Sequence, residues 1–154
     1  MSFIDRDKWY GSLIKRIYRN VDLIFSQYGA KFGLNTSQLQ VLVSLWTSEN
    51  RGLTQKELVE ILGFKPASVT ALINSMESKG LIYRKLDPQD ARVNRIFLTM
   101  KGIEMEEFHL KQVDVIEKCL TYNFTDDELK VMQIQLKKML NNLETSLENV
   151  KIHS

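Results

Sequence analysis

Cysteine occurs once in the 154 residues, at Cys119, so no internal disulfide framework exists and a reducing compartment is the natural setting. Histidine occurs twice, at His109 and His153, and His109 with Glu106 offers only an i, i+3 pair, too few ligands for a metal site. Cys119, His109 and His153 form no nucleophile–base motif, and no glycine-rich phosphate loop is present. The chain therefore reads as a non-enzyme without cofactor or metal. No apolar run approaches the about 20 residues that a membrane helix needs. The first residues, MSFIDRDKWYG, are too charged for a signal peptide. The expectation is a cytoplasmic protein with no membrane partner. Proline is confined to Pro66 and Pro88, which leaves long stretches open to helix.

What the chain does contain is enough apolar sequence for a core, 44% hydrophobic against 26% charged, in one domain or one domain with a helical appendage. The net charge of +2 hides a segregation. Residues 51–102 carry nine Lys/Arg against five Asp/Glu, whereas residues 103–154 carry six against ten. A basic middle is where phosphates would be met. Taken alone, this excess is also compatible with an ordinary solvated surface.

That basic middle, Thr54 to Gly102, organises the rest. Thr54 and Glu57 form a capping box that opens a short helix anchored by Leu58, Ile61 and Leu62. Gly63-Phe64-Lys65 is a turn, and Pro66 starts a second helix at the position where its missing N–H costs nothing. Val69, Leu72, Ile73 and Met76 face inward at helical spacing; Ala67, Ser68, Thr70, Ala71, Asn74 and Ser75 face outward. Such a small, polar face can approach a groove floor and bond base edges or phosphates. Residues 81–85 and 93–99 read as strands around a charged loop, 86–92. A helix-turn-helix followed by a hairpin is a winged helix. The recognition helix spans 66–79 and the wing 82–99. Arg92 at the loop tip suits the negative potential of a minor groove, and Asp87 and Asp90 suit intraloop support for Arg92 or Arg95. The competing reading of these charges as surface ion pairs worth little stays open for any single residue.

The flanks are helical. Residues 3–29 carry Leu13, Ile17, Val21, Ile24 and Tyr28 at steps of three and four, with Ser2 and Asp5 as a start signal. Asn35 or Thr36 caps a helix reaching about Ser48, with Leu39, Leu42, Val43 and Trp46 buried. Glu49 to Gly52 is a turn and Leu53 a very short strand. Thr99 caps a helix over 100–120 with apolar residues on two faces, among them a buried, inert Cys119. Thr125 and Glu128 form another capping box. The last helix carries Leu129, Met132, Leu136, Met139, Leu143 and Leu147, close to a heptad seam. The fold class is mainly α with a small β-hairpin wing. Residues 35–99 form the winged helix DNA-binding region, and residues 1–34 with 100–154 form a helical dimerisation region.

The stretch ESKGLIYRKLDPQDARVNRIFLTMKG resembles the MarR family of bacterial transcription regulators. The resemblance is carried by Lys79, Gly80, Leu81, Ile82, Arg84, Asp87, Asp90, Arg92, Ile96, Leu98, Thr99 and Gly102, and TQKELVEILGFKPASVTALINSME is similar to the family's third and fourth helices. The resemblance implies a homodimer with paired terminal helices, binding double-stranded DNA at a pseudo-palindromic operator, usually as a repressor. It implies Arg92 in the minor groove and Ser68, Thr70 and Asn74 on the recognition face; with the residues read directly, the candidate DNA contacts are Lys65, Ser68, Thr70, Ala71, Asn74, Ser75, Arg84, Arg92 and Arg95. One departure stands out. No arginine or lysine lies between Pro66 and Ser78, so a bidentate arginine on this helix cannot read guanine, and an A·T-rich or shape-read operator is expected.

Family members respond to oxidants, metals or small aromatic and lipophilic acids. The first helix has no cysteine and the histidines are few, which leaves a small aromatic or lipophilic effector. Trp9, Tyr10, Leu13, Ile17, Trp46, Met105 and Phe108 are the candidate pocket, although each also suits an ordinary core. The alternative function is a winged helix used for protein–protein contact without specific DNA binding.

Overall fold

The structure, a computed structural model, describes residues 8–49, 52–87 and 92–152. In chain order the elements are α1 (Tyr10–Ala30), α2 (Thr36–Thr47), β1 (Gly52–Thr54), α3 (Gln55–Leu62), α4 (Pro66–Ser78), β2 (Ile82–Leu86), β3 (Asn94–Leu98), α5 (Met100–Leu120) and α6 (Asp126–Ile152). One compact unit runs to Val113 and a second starts at Asp114.

Local chemistry places most of these boundaries. Asn35 caps α2, accepting from the Gln38 N–H while Gln38 Oε1 accepts from the Asn35 N–H. Thr54 and Glu57 do the same for α3, whose end is set by left-handed Gly63. Lys65 is the N-cap of α4, and Pro66 occupies its first turn. The exit from α4 is a Schellman motif. The Gly80 N–H donates to Glu77 O, the Leu81 N–H to Met76 O, and Gly80 takes φ +67°. Thr99 opens α5 by accepting from the Gly102 N–H at 3.2 Å. The Thr125 hydroxyl accepts from the Glu128 N–H at 3.3 Å, completing the capping box of α6.

The sheet has three antiparallel strands in the order β1-β3-β2. Leu53 faces Ile96 across β1–β3, and Tyr83 faces Phe97 across β2–β3. The wing is thus anchored by the strand that precedes α3, an addition to the plain hairpin read from the sequence. The strand after α4 begins at Ile82 rather than Leu81, because the Leu81 N–H is held by the helix exit.

A single core lies in the first unit. Val41, Leu42 and Leu45 from α2, Leu58 from α3, Val69, Ile73 and Met76 from α4, and Ile82, Ile96 and Leu98 from the sheet are all buried there.

Several expectations need correction. The start signal at Ser2 and Asp5, the loop residues Pro88 to Ala91 and part of the 49–52 turn lie outside the described residues. Among described residues the first helix starts at Tyr10, after an extended Trp9 with no side-chain cap. Ile61 is exposed, since α3 is short and only Leu58 points fully inward. Cys119 is exposed, not a core thiol. Leu110, Val115 and Leu120 on α5 are exposed too, whereas Ile116 is buried.

Gly102 shows how closely α5 approaches its neighbours. A Cβ there would lie 2.3 Å from Leu81 O, and the Trp46 indole N–H donates to Gly102 O at 3.0 Å. The Gly102→Ala variant is therefore expected to lose about 1–3 kcal/mol of stability through overpacking. Urea unfolding measures this; an unchanged midpoint and slope would contradict the packing described.

Candidate nucleic-acid interface

The outward face of α4 divides into two parts. Ala67, Ser68, Ala71 and Asn74 are exposed, while Thr70 and Ser75 are half-buried and already bonded. The Thr70 hydroxyl donates to Pro66 O at 2.9 Å and accepts from Gln55 Nε2 of α3 at 2.8 Å. The Ser75 hydroxyl accepts from Gln38 Nε2 of α2 at 2.9 Å. Of the six small residues facing outward, four are open to a ligand and two hold the helix in its frame.

Gln38 is the centre of that frame. It is only 4% exposed. Besides Ser75 and the Asn35 N–H, its Oε1 accepts from Lys79 Nζ at 3.0 Å. Lys79 Nζ also donates to Gly33 O at 2.5 Å, and Lys101 Nζ donates to Lys79 O at 3.0 Å. The α1–α2 connection, the start of α2, the middle and end of α4 and the start of α5 are all tied together. Neither Gln38 nor Gln55 was singled out from the sequence. Gln38 carries a signal as the third residue of a capping box, but its contact with Ser75 spans 37 positions.

The cations come from other elements. Lys65 is exposed at the start of α4. Arg84 of β2 bonds Glu77 through NH1 and donates to Asn74 Oδ1 through NH2 at 2.5 Å. The Arg84 N–H also donates to Glu77 Oε1, at 3.3 Å. Arg95 of β3 donates through Nε to Asp87 Oδ2 at 2.6 Å and through NH1 to Gly52 O at 3.2 Å, with Glu57 Oε2 at 3.7 Å. The Asp87 N–H donates to Val93 O at 2.8 Å, closing the base of the wing loop. Glu57 is held below the usual carboxylate range, first by the Thr54 N–H and hydroxyl and then by Arg95. Arg92 is an exposed residue of the wing loop; Asp90 lies outside the described residues.

The candidate effector residues are not gathered in one place. Trp9 just before α1 and Tyr10, Leu13 and Ile17 on it are exposed. Trp46 is buried in the core with its N–H on Gly102 O. Met105 and Phe108 line a cavity of about 530 Å³ with Phe32, Gly33, Leu81, Lys79, Lys101 and Glu104. Phe108 stacks on Tyr28 at 4.7 Å, and burial pushes the Tyr28 phenol up to about 12. A second cavity, of about 460 Å³, is walled chiefly by Tyr18, Val21, Phe25, Leu39, Val43, Ile61 and His109. Reading the sequence missed this one, because its walls come from four helices. His109 lies between Phe25 and Trp46, burial lowers its pKa, and its Nδ1 is buried with no bonding partner.

Comparison with known proteins bears on the fold as a whole. The MarR family profile matches residues 32–93, from the α1–α2 connection into the wing. The multiple antibiotic resistance protein MarR of Escherichia coli K12 is 27% identical over 131 residues, which are 84% of this chain and 90% of that one. The structure of apo MarR from E. coli superposes with a TM-score of 0.74 at 26% identity, covering 91% of this chain and 99% of the other. The MepR–DNA complex of Staphylococcus aureus gives a TM-score of 0.75 at 30% identity, over 87% and 98% of the two chains. With the S. aureus MepR chain 30% identical and covered over 98% of its length, this chain belongs to the MarR family of winged helix-turn-helix DNA-binding transcriptional regulators.

Proposed function

We propose that the protein is a ligand-responsive homodimeric repressor that binds a pseudo-palindromic operator, with α4 in the major groove and the wing at the minor groove. The observation that carries the reading is the uncharged, small-residue face of α4, flanked by Lys65 on one side and by the wing arginines on the other. Ser68, Ala71 and Asn74 meet the groove, while Thr70 and Ser75 mainly hold the helix in place. Arg92 enters the minor groove, and Arg95, fastened to Asp87, stiffens the wing. An operator read by DNA shape and A·T content suits a helix without cations of its own.

Residues 35–99 serve as the DNA-binding region, and residues 1–34 with 100–154 as the dimerisation region. Exposed apolar side chains support the dimer. On α1, Tyr10, Ile17 and Tyr18 are more than half exposed; on α6, Val131, Ile134, Leu140, Leu143 and Leu147 are too. Such stripes are uncommon on a monomer and are covered by association. A two-fold dimer places two copies of α4 about one helical repeat apart, roughly 34–36 Å along DNA. A small aromatic or lipophilic effector acts by favouring a dimer with another spacing. Both apolar cavities suit such a ligand, with the lysine rim of one and His109 of the other as polar handles.

Two measurements test this reading. Arg92→Ala is expected to weaken operator binding by about tenfold or more in a mobility-shift titration; unchanged affinity would remove the wing from the interface. Sedimentation equilibrium at micromolar concentration is expected to give twice the 17.9 kDa chain mass. A monomer mass would exclude the terminal-helix interface.

A further inference from the structure

We infer that the cavity walled by Tyr18, Phe25 and His109 takes a lipophilic ammonium ion, held by the carboxylate of Asp22. The inference rests on the proposal that the protein responds to a small lipophilic effector. It goes further by naming the cavity, the charge of the ligand and the side chain that selects that charge.

The cavity measures about 460 Å³, and Val21, Leu39 and Val43 belong to its apolar wall. Among the described residues no lysine or arginine lines it, and Asp22 is its one carboxylate. Asp22 is half-buried on α1, and among the described residues it has no ion-pair or hydrogen-bond partner. A ligand that fills the cavity takes water from this carboxylate. A cation compensates that loss, a neutral molecule does so only in part, and an acid adds repulsion. The rings of Tyr18 and Phe25 act in the same direction, because the face of an aromatic ring attracts cations.

His109 agrees with this choice. Its imidazole stacks on Phe25 at 5.4 Å and lies 5.2 Å from the Trp46 ring. Burial holds it below its ordinary pKa, so it is neutral near pH 7. A neutral imidazole has an acceptor nitrogen to offer and no charge to attract an acid. Its Nδ1 is buried without a bonding partner. A protonated amine brings the N–H donors that both Asp22 and a neutral histidine lack.

The cavity also reaches the helix that supports α4. Ile61 and Leu62, at the end of α3, complete its wall. Gln55 at the start of α3 bonds Thr70 of α4 at 2.8 Å. An ion seated against α3 therefore bears on the element that carries this tie.

The test uses three ligands with one ring system and three charges: naphthylmethylamine, cationic near neutral pH, naphthylmethanol and naphthoate. Each is titrated calorimetrically into the full-length wild type, Asp22→Asn and Asp22→Glu, with thermal unfolding as the check on folding. Wild type is expected to bind the amine about tenfold more tightly than the alcohol, and naphthoate least. Asp22→Asn should lower the amine to the level of the alcohol and leave the alcohol unchanged, whereas Asp22→Glu should keep the preference for the amine. Equal binding of amine and alcohol to wild type, no binding of the amine, or a preference for the amine that survives in Asp22→Asn would each overturn the inference. So would tightest binding of naphthoate, which would move the ligand to the cavity rimmed by Lys79 and Lys101. None of these readouts needs DNA. A mobility-shift titration with the amine then tests the effector role separately: binding through Asp22 that leaves operator affinity unchanged would bear out the cation site and overturn the effector reading. Should Asp22→Asn fail to fold, the ranking of the three ligands on wild type and Asp22→Glu decides.

Discussion

The side chain of Gln38 meets Ser75, Lys79 and the Asn35 N–H in a place almost closed to water. A buried polar group left without its partner costs about 1–3 kcal/mol, so the bonds to Ser75 and Lys79 oppose movement of α4 relative to α2. Gln55 adds a tie from α3 to Thr70, and the Glu77–Arg84 pair adds one from β2. Three elements thus hold α4 by polar contacts on its flanks, while Val69, Ile73 and Met76 hold it by packing beneath. A helix meant to meet another surface in a set orientation needs such a frame, because packing alone tolerates small rotations better than directional bonds do. Ser68 and Ala71 lie outside the frame, and Asn74 touches it only through Arg84.

Charge is distributed by the same logic. The exposed part of α4 is neutral, and positive charge is brought to it by neighbours, at Lys65 ahead of the helix and Arg84 on β2. Each of these cations differs in how firmly it is held. Arg84 and Arg95 are fastened by carboxylates, Glu77 and Asp87, which fixes their direction at the expense of net charge. In the proposed pose, discrimination is assigned to directional contacts and to DNA shape.

Much of the fold was legible because its signals are local. The capping boxes at Thr54–Glu57 and Thr125–Glu128, the proline at the start of α4, and Lys79-Gly80-Leu81 at its end each act within about one turn of helix. The span of α5 was read correctly from Thr99 onward. Errors arose where burial depends on distant parts of the chain. Ile61 has the right spacing to be inward, yet α3 is too short to bury it. Cys119 sits on an apolar repeat that, in a single chain, faces solvent. The frame around α4 was illegible for the same reason, since Gln38 and Ser75 are 37 positions apart and no periodicity connects them. The cavities fared likewise, being walled by residues of several helices.

If the frame around Gln38 sets the pose of α4, its loss should reduce discrimination more than general DNA affinity. The most direct measurement is the ratio of operator to non-specific DNA affinity in Gln38→Leu and Gln38→Glu, with thermal unfolding followed in parallel. Leucine keeps the volume but bonds none of the three partners; glutamate can still accept from Asn35 N–H, Lys79 and the Ser75 hydroxyl. The account predicts a ratio about tenfold lower for leucine in a folded protein, largely restored by glutamate, with non-specific binding similar in both. A folded leucine variant that keeps the full wild-type ratio would contradict it.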